Sequence, residues 1–593
     1  MFSKVLVANR GEIAVRVIRT CAELGLTAVA VHSDPDASSL HVRVADEAVA
    51  LGGTAAAESY LDIGKLLQAA KESGADAIHP GYGFLAESAE FARAVADAGL
   101  VFIGPPADAI EVMGEKVAAR AVALKADVPQ VPGSAGAVES AREVVDFGAA
   151  HGYPIAIKAS YGGGGRGMRL VHSEHEAEDA LESARREAQG AFGRADVYLE
   201  RYLANARHVE VQVFADTHGN VRWLGDRDCS VQRRHQKLVE ESPAPGLSPE
   251  LRISMGEASV RLARTVGYVG AGTVEYLVEG ENFYFLEMNT RIQVEHPVTE
   301  EVLGLDLIAE QLKVAAGEEL SIAGSGPQPR GHALEVRINA ENTAGGLFVP
   351  SPGKLAELEV LPRVGLRFDS GYEAGDEVLP HYDSMIGKLI VWAPDRSTAV
   401  RRMLAALDEF TVRGVPTTVP AARAVLEHPD FAAVEFTTRW LESDVELPAA
   451  PADHVGHVEE EADDACRDEV WVAGRRYAVP FHTARVAGQS AGAPTAARRR
   501  AGGTAPKKRT AKAAAHSAGT VTSPMQGTVV KVNVEEGARV SAGEVLFVVE
   551  AMKMENPVIA SGDGTVEGVE VSVGDVVVAG ASLAVLVPAE QAA

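Results

Sequence analysis

A β-hairpin that would set two glutamates face to face is the first sign of chemistry in this chain. The stretch "GTVEYLVEGENFYFLEMN" (272–289) has two β-rich runs flanking "GEN", and reads as an antiparallel hairpin centred on Glu281. That centre puts Glu275 opposite Glu287. Like charges directly opposite are unfavourable unless something lies between them. A divalent cation on ATP phosphates would neutralise both, because Mg²⁺ takes one or two carboxylates plus phosphate oxygens. A solvated surface pair is the plainer reading, and the apolar neighbours Leu277 and Phe285 argue against it. If the strand period runs on through "EMNTRIQVEHP", then Glu287, Asn289, Arg291, Gln293 and Glu295 share one face. Such a row holds metal ligands, an anion-binding arginine and a free carboxylate.

Other stretches add to this set. "KASYGGGGRGM" (158–168) places Lys158 ahead of a run that includes Gly163, Gly164 and Gly165. Successive glycines leave backbone N–H groups bare, so they can cradle phosphates. No Gly-Lys-Ser/Thr follows, so this is not a Walker loop, and alone it would be an ordinary surface loop. Lys116 in "MGEKVAAR" supplies a second point charge for phosphates. "CSVQRRHQK" (229–237) brings Gln232, His235, Gln236 and Lys237 close together, with Cys229 read as structural and His235 ranked below Lys237. Tyr82 lies in "HPGYGFLAE" (79–87), a glycine-laced loop after a strand, where sites form in open sheets. Arg337 lies in the strand "LEVRINA". In "VVEAMKMENPVI" (548–559), Lys553 stands between Met552 and Met554, and reads either as a solvated turn or as a lysine presented to another protein.

The elements that must position these residues are legible in the hydrophobic pattern. "KVLVA" is a buried strand, Ile13, Val17, Ile18 and Cys21 mark one face of a helix ending near Gly25, and "TAVAVHSD" is the next strand. Strand, helix, strand opens a doubly wound sheet, which occupies residues 1–113. A second region, 114–317, holds the glycine run and the charged motifs; a third, 331–446, mixes strands such as "HALEVRINA" with the helical "STAVRRMLAALDEF". Residues 447–484 are acidic and then weakly strand-like. Residues 485–518 have almost no large apolar side chain, cannot bury a core, and read as a linker with a reach of about 30–35 Å. The last region, 519–588, repeats itself: "GTVVKVNVEEGARVSAGEVLFVV" begins at Gly527 and "GTVEGVEVSVGDVVVAGASLAVLV" begins 37 residues later at Gly564. Two copies of a short β motif imply a pseudo-twofold flattened barrel. Lys553 falls between the copies, which favours an exposed hairpin tip.

Composition narrows the classes. The 593 residues exceed what one core supports, so several domains are expected. Acidic residues number 83 against 56 basic ones, a net charge of −27, which argues against nucleic acid or an anionic membrane as partner. Cys21, Cys229 and Cys466 are too few and too scattered for a disulfide framework or a zinc site. The start shows no long apolar core of a signal peptide, no stretch is long enough to span a membrane, and the expected compartment is the cytoplasm.

Taken together, "VANRGEIAVRV", "HPGYGFLAES", "KASYGGGGRGMR", "DRDCSVQRRHQK", "EMNTRIQVEHPVTE" and "HYDSMIGKLI" resemble biotin carboxylase, an ATP-grasp enzyme, over about residues 1–446. "EAMKMENP" resembles the attachment site of the biotin carboxyl carrier domain. The chain is thus similar to the alpha subunits of bacterial acyl-CoA carboxylases, of the actinobacterial kind. The resemblance implies a multidomain α/β fold: a Rossmann-like N-terminal domain, an ATP-grasp domain, an α+β C-terminal carboxylase domain and an all-β biotinyl domain. It implies ATP-driven activation of bicarbonate to carboxyphosphate and transfer of the carboxyl group to N1 of biotin on Lys553. It assigns Lys116, Lys158, Glu200, Leu203 and His208 to ATP with the glycine loop as lid, and adds Gln232 and His235. It gives Glu275, Glu287 and Asn289 a Mg²⁺ or Mn²⁺ ion. Lys237, Arg291, Gln293, Val294 and Tyr82 line the bicarbonate and biotin pocket, Glu295 is the general base, and Arg337 stabilises the enolate-like ureido oxygen. One departure is Arg201 in "LERYL", where the family often has lysine; that contact is expected to be made by backbone. The implied partners are a carboxyltransferase beta subunit, a biotin protein ligase, and further alpha chains in a large alpha–beta assembly. The implied products are malonyl-CoA, methylmalonyl-CoA or a longer carboxyacyl-CoA. Two other readings stay open at this point: an ATP-grasp ligase with a different carrier-bound acceptor, and an inactive carrier or binding subunit.

Lys553 is expected to carry one biotin. Intact-mass measurement after co-expression with a biotin ligase should show a single added biotin, and uptake of biotin by Lys553→Ala would overturn the assignment.

Overall fold

In the computed structural model the described residues are 2–134, 136–159, 168–192, 195–322, 328–448, 467–472, 475–480, 520–523, 527–541, 543–551, 554–560, 562–577 and 581–588. They fall into two compact units, the first built mainly by Met1–Ala449 and the second mainly by the chain beyond it.

The first unit opens with the expected parallel sheet. Its strand order is Glu47–Ala50, Thr27–His32, Lys4–Val7, Ala77–His79, Val101–Phe102, every neighbour parallel. Val5, Leu6 and Val7 are fully buried, as a parallel strand covered on both faces requires. The helix Gly11–Glu23 buries Ile13, Val17, Ile18 and Cys21 against it.

The second and third regions of the sequence share one antiparallel sheet of eight strands. Its order is Asn282–Asn289, Gly270–Glu279, Arg207–Ala215, Val221–Arg233, Gln236–Ser242, His332–Asn339, Met385–Ala393, Leu366–Ser370. Glu275, Lys237 and Arg337, far apart in sequence, are thereby placed on one continuous scaffold. A smaller sheet of Met168–Val171, Ile155–Ala159 and Val197–Arg201, backed by the helices Ala141–His151 and Ala177–Phe192, carries Lys158 and Glu200. Gly163, Gly164 and Gly165 lie outside the described residues.

A buried ion pair ties the parallel sheet to the C-terminal part of the unit. Arg10 Nε donates to Asp36 Oδ2 at 2.6 Å and its Nη2 to Asp36 Oδ1 at 2.9 Å. The same guanidinium reaches Tyr372 Oη at 3.3 Å and lies 4.3 Å from the Tyr382 ring centre. Gly371 approaches so closely that a Cβ there would meet Glu12 N at 2.6 Å, so no larger residue fits.

In the second unit, Arg467–Val472 and Arg475–Pro480 pair as an antiparallel hairpin, which accounts for the strand-like pattern seen before the linker. The linker itself, 485–518, lies outside the described residues. The terminal domain has two four-stranded sheets. One has the order Thr520–Thr522, Ser582–Pro588, Gly564–Val569, Arg539–Val540; the other Met554–Ile559, Val545–Ala551, Gly527–Val532, Val576–Val577. The 37-residue offset turns Gly527–Val532 into Gly564–Val569, Arg539–Val540 into Val576–Val577 and Val545–Ala551 into Ser582–Pro588, so it exchanges one sheet for the other. Val529, Leu546, Phe547, Val549, Val566, Leu583 and Ala584 are all buried in this domain. Met552 and Lys553, expected at a hairpin tip, lie outside the described residues, between two strands that are neighbours in their sheet.

Burial works to raise the Asp36 carboxyl, but the Arg10 guanidinium overrides it and holds the group well below the usual range. A carboxylate depressed in the folded state contributes stability above its unfolded pKa of about 4, and that share is lost as pH falls. Asp36→Asn leaves Arg10 buried without its counter-ion and should cost about 3–5 kcal/mol in denaturant unfolding. It should also flatten the acid side of the stability curve; a loss below about 1 kcal/mol would mean that the pair is not a lock.

Candidate active site

The two facing glutamates are where the hairpin reading puts them, by a route that reading did not foresee. Glu279 pairs with Asn282 and Tyr276 with Phe285 around a two-residue turn at Gly280–Glu281, a register that by itself would bring Glu275 opposite Leu286. A bulge then skips Leu286, leaves it 44% exposed, and sets Glu275 opposite Glu287. Bulges next to sites commonly re-aim a side chain in this way.

The expected five-residue strand face is corrected beyond Asn289. Residues 290–295 are irregular, and Glu295 is the N-cap of the helix His296–Leu303. Pro297 lies in the first helical turn, where its fixed φ and missing N–H favour a helix start over a strand. The loop still brings the same side chains to one place. Asn289 Nδ2 and Gln293 Nε2 both donate to Glu275 Oε1 at 2.7 Å. Arg291 donates from Nε to Glu87 Oε2 and from Nη2 to Asn289 Oδ1, both at 3.0 Å.

At the centre, Lys237 Nζ lies 2.8 Å from Glu210 Oε2 and 3.4 Å from Glu275 Oε1, and also contacts Glu295. Arg337 Nη2 donates to Glu295 Oε2 at 2.9 Å while its Nε is held by Glu240 at 2.6 Å. Burial tends to raise the Glu295 carboxyl, but Lys237, Arg337 and Arg227 hold it well below the ordinary range. Burial likewise opposes the charge on Lys237, and the surrounding acids Glu210, Glu275 and Glu295 win, keeping it protonated. His208 Nε2 lies 2.9 Å from Glu275 Oε2 and is raised by that charge against the effect of burial. Glu287 is pushed up by desolvation and then by the Glu275 carboxylate, with Lys116 acting the other way. A pair of acids that repel in this way fits a divalent cation. His208, Glu210 and Glu275 also lie close enough to share one ion, as do Glu210, Cys229 and Glu295.

The remaining expected residues are arranged around this centre or away from it. Lys158 pairs with Glu200, which also accepts from Arg120 Nη1 at 2.7 Å. Leu203 packs with Val131 and Ala206 beside Leu277 and Tyr284. Lys116 is exposed at the start of the helix Lys116–Lys125. Gln232 is buried and pairs across its hairpin with Lys237; His235 is exposed in the two-residue turn, at φ +68° beside Arg234 at +47°. The Val294 carbonyl accepts from Lys388 Nζ at 2.7 Å, and Tyr82 Oη donates to Glu12. Arg201 sends its side chain to Glu279 at 2.6 Å.

Sequence reasoning missed Arg227, which is 0% exposed. It donates to Glu210 Oε1 at 2.5 Å, Gln212 at 2.8 Å, Thr299 at 2.9 Å, Thr273 at 3.1 Å and Gln293 Oε1 at 2.6 Å. It stands between Asp226 and Asp228 in "GDRDCSV", where three charges in a row read as exposed and give no signal of burial. Glu210, Glu240 and Lys388 were missed as well.

Four family models match the chain: "Biotin carboxylase, N-terminal domain" over residues 1–110, "Carbamoyl-phosphate synthase L chain, ATP binding domain" over 115–323, "Biotin carboxylase C-terminal domain" over 335–443, and "Biotin-requiring enzyme" over 519–586. A Mycobacterium leprae protein named biotin-dependent acyl-coenzyme A carboxylase alpha3 subunit is 49% identical over 588 residues, 98% of each chain. The propionyl-CoA carboxylase alpha chain of Ruegeria pomeroyi is 46% identical over 462 residues, 74% of this chain and 68% of that one. The biotin carboxylase domain of Hydrogenobacter thermophilus 2-oxoglutarate carboxylase, solved as a dimer with MgADP, ADP and bicarbonate, superimposes with a TM-score of 0.68. It is 47% identical and covers 74% of this chain and 97% of its own.

Arg227→Lys keeps the charge but cannot span Gln293, Thr273 and Thr299 together. The expected result is a fold that survives and a turnover lowered about 10²-fold through a misplaced Gln293. Steady-state kinetics beside circular dichroism would check it; unchanged turnover would show that Gln293 needs no such support.

Proposed function

This chain belongs to the biotin carboxylase family, joined in one polypeptide to a biotinyl domain, and on that premise we propose how its residues perform ATP-dependent carboxylation of biotin for a carboxyltransferase partner. The observation that carries the proposal is Glu295, a buried carboxylate clasped by Lys237 and by Arg337 Nη2 at 2.9 Å. Clasped so, it is a weak base. Bicarbonate is an anion and competes for Lys237, Arg291 and Arg337. Each cation drawn onto the substrate releases Glu295, lets its pKa rise, and makes it able to take the bicarbonate proton. The base is thus strengthened by the binding of its own substrate.

On the nucleotide side, Lys158 is held by Glu200 and is free to turn to phosphate when ATP enters, with His208 and Lys116 as further cations. Glu275, Glu287 and the Asn289 amide would hold Mg²⁺, and Mn²⁺ takes the same hard oxygen donors. When bound, that ion offsets the phosphate charge. Gln293, oriented by Arg227 and Glu275, positions bicarbonate beside the terminal phosphate. Arg337, anchored through Nε, keeps a second N–H face for the ureido oxygen of biotin. Water must be excluded while the activated carboxyl waits, the role given to the glycine loop.

For the wider setting, the biotinyl lysine is Lys553, loaded by a biotin protein ligase, and the linker lets it travel to the separate carboxyltransferase. Several alpha chains assemble with that partner to make malonyl-CoA, methylmalonyl-CoA or a longer carboxyacyl-CoA, and so serve fatty acid and lipid metabolism. Among the described residues no helix is long and apolar enough to cross a membrane, and the net charge of −27 disfavours nucleic acid and anionic lipid, in keeping with a cytoplasmic setting.

The test is ADP release from ATP with free biotin. It should depend on bicarbonate, and acyl-CoA should remain uncarboxylated until a carboxyltransferase is added. Glu295→Gln should lose on the order of 10²–10⁴ in kcat with ATP binding retained. Glu287→Gln should instead weaken metal–ATP binding. Equal loss of nucleotide affinity in both variants would sink the division of roles.

A further inference from the structure

Behind Arg337 the long sheet carries two buried acids. Glu240 on Gln236–Ser242 and Glu335 on His332–Asn339 are direct partners across their strands, and each is 0% exposed. Cβ atoms of such partners are about 4.5–5.5 Å apart, which brings the two carboxyl groups within reach of each other. Glu240 gives Oε1 to Arg337. Its Oε2, and both oxygens of Glu335, have no hydrogen-bond partner among the described residues.

The charged groups facing them are few. Lys388 comes from Met385–Ala393, Arg337 from Glu335's own strand, Glu295 from the loop before its helix, and Lys237 from Glu240's own strand. Lys388 is engaged with the Val294 carbonyl at 2.7 Å and with Glu12 at 3.2 Å; Arg337 is divided between Glu240 and Glu295. Two ionised carboxylates here would repel with no donor to spare. One proton between them supplies the donor and satisfies the orphaned Oε2.

We propose that Glu240 and Glu335 share one proton at neutral pH, Glu335 holding it and donating to Glu240 Oε2, and that this pair is the positioning element that keeps Arg337 aimed at Glu295. With one proton the pair carries a single negative charge, which Arg337 balances. Burial first, then the neighbouring acids, push Glu335 well above the ordinary carboxyl range, while Glu240 is raised by burial to about 7 against the pull of Arg337. The two titrate together. A raised carboxyl loses its proton as pH rises through the folded value, so at alkaline pH a second negative charge forms behind Arg337. That charge draws the guanidinium back from the side where it must meet the ureido oxygen, and so slows turnover.

Infrared spectroscopy of the full chain at neutral pH should show a protonated-carboxyl C=O band that is absent from Glu335→Gln. In the pH profile of kcat for free biotin, Glu335→Gln should lose part of the alkaline limb, because its amide still donates to Glu240 but cannot ionise. Glu335→Leu, with no donor, should lower kcat at constant ATP KM, and Gln at the same position should restore it. If neither Glu335 variant folds, Glu240→Gln replaces them, and an unmoved band overturns the proposal. No band in the wild-type chain, or a band unaffected by Glu335→Gln, overturns the shared proton. A lost band with an unchanged pH profile overturns the positioning role. The kinetic arm rests on the roles proposed above for Arg337 and Glu295 and the infrared arm does not, so the two failures are distinguishable.

Discussion

The buried Arg227 guanidinium is the constraint on which the rest of the cleft depends. Removing such a charge from water costs several kcal/mol, recovered only if every N–H finds a well-placed partner. The partners come from four places: Glu210 and Gln212 on one strand, Thr273 on the next, Gln293 in the loop, and Thr299 on the following helix. Satisfying one side chain therefore fixes the spacing of two strands, a loop and a helix. Glu210 in turn uses its second oxygen on Lys237, so the same arginine sets the position of the lysine that clasps Glu295.

Charge balance in this cleft is distributed, with almost no group paired to a single partner. Lys237 touches three acids, Glu295 touches two cations, and Arg337 bridges two acids. In a low-dielectric site such sharing makes each pKa depend on occupancy, because an entering anion must displace contacts and redistribute charge. The depressed carboxyl of Glu295 belongs to the resting network and reports how strongly that network is poised.

The sequence was most informative where chemistry coincides with backbone periodicity. The hairpin was legible, but its turn was read one half-step off, and Glu275 faces Glu287 only because the bulge at Leu286 offsets that reading; self-similarity made the doubled β domain legible. Legibility failed where a local signal had to be weighed against tertiary context. The strand was carried past Asn289 because alternation of polar residues continued, although Pro297 already signalled a helix start. The bulge at Leu286 could not be read, since skipping one residue leaves no mark in composition. Arg227, Glu210, Glu240 and Lys388 escaped because a buried charge announces itself only through partners distant in sequence, the farthest from Arg227 being Thr299 on a helix. That the second and third regions share one sheet escaped for the same reason: strand partners such as Val239 and Val336 meet only after folding.

The interchange of sheets in the terminal domain has a consequence for the order of events in the life of the chain. Each of its two sheets contains two strands from each copy of the repeat. The first copy alone therefore completes neither sheet, and its strands keep open edges until Ser582–Pro588 is available. During synthesis this domain must remain unfinished after most of the polypeptide is made. An enzyme that acts only on the folded domain therefore meets its substrate only on chains in which Ser582–Pro588 has already been made.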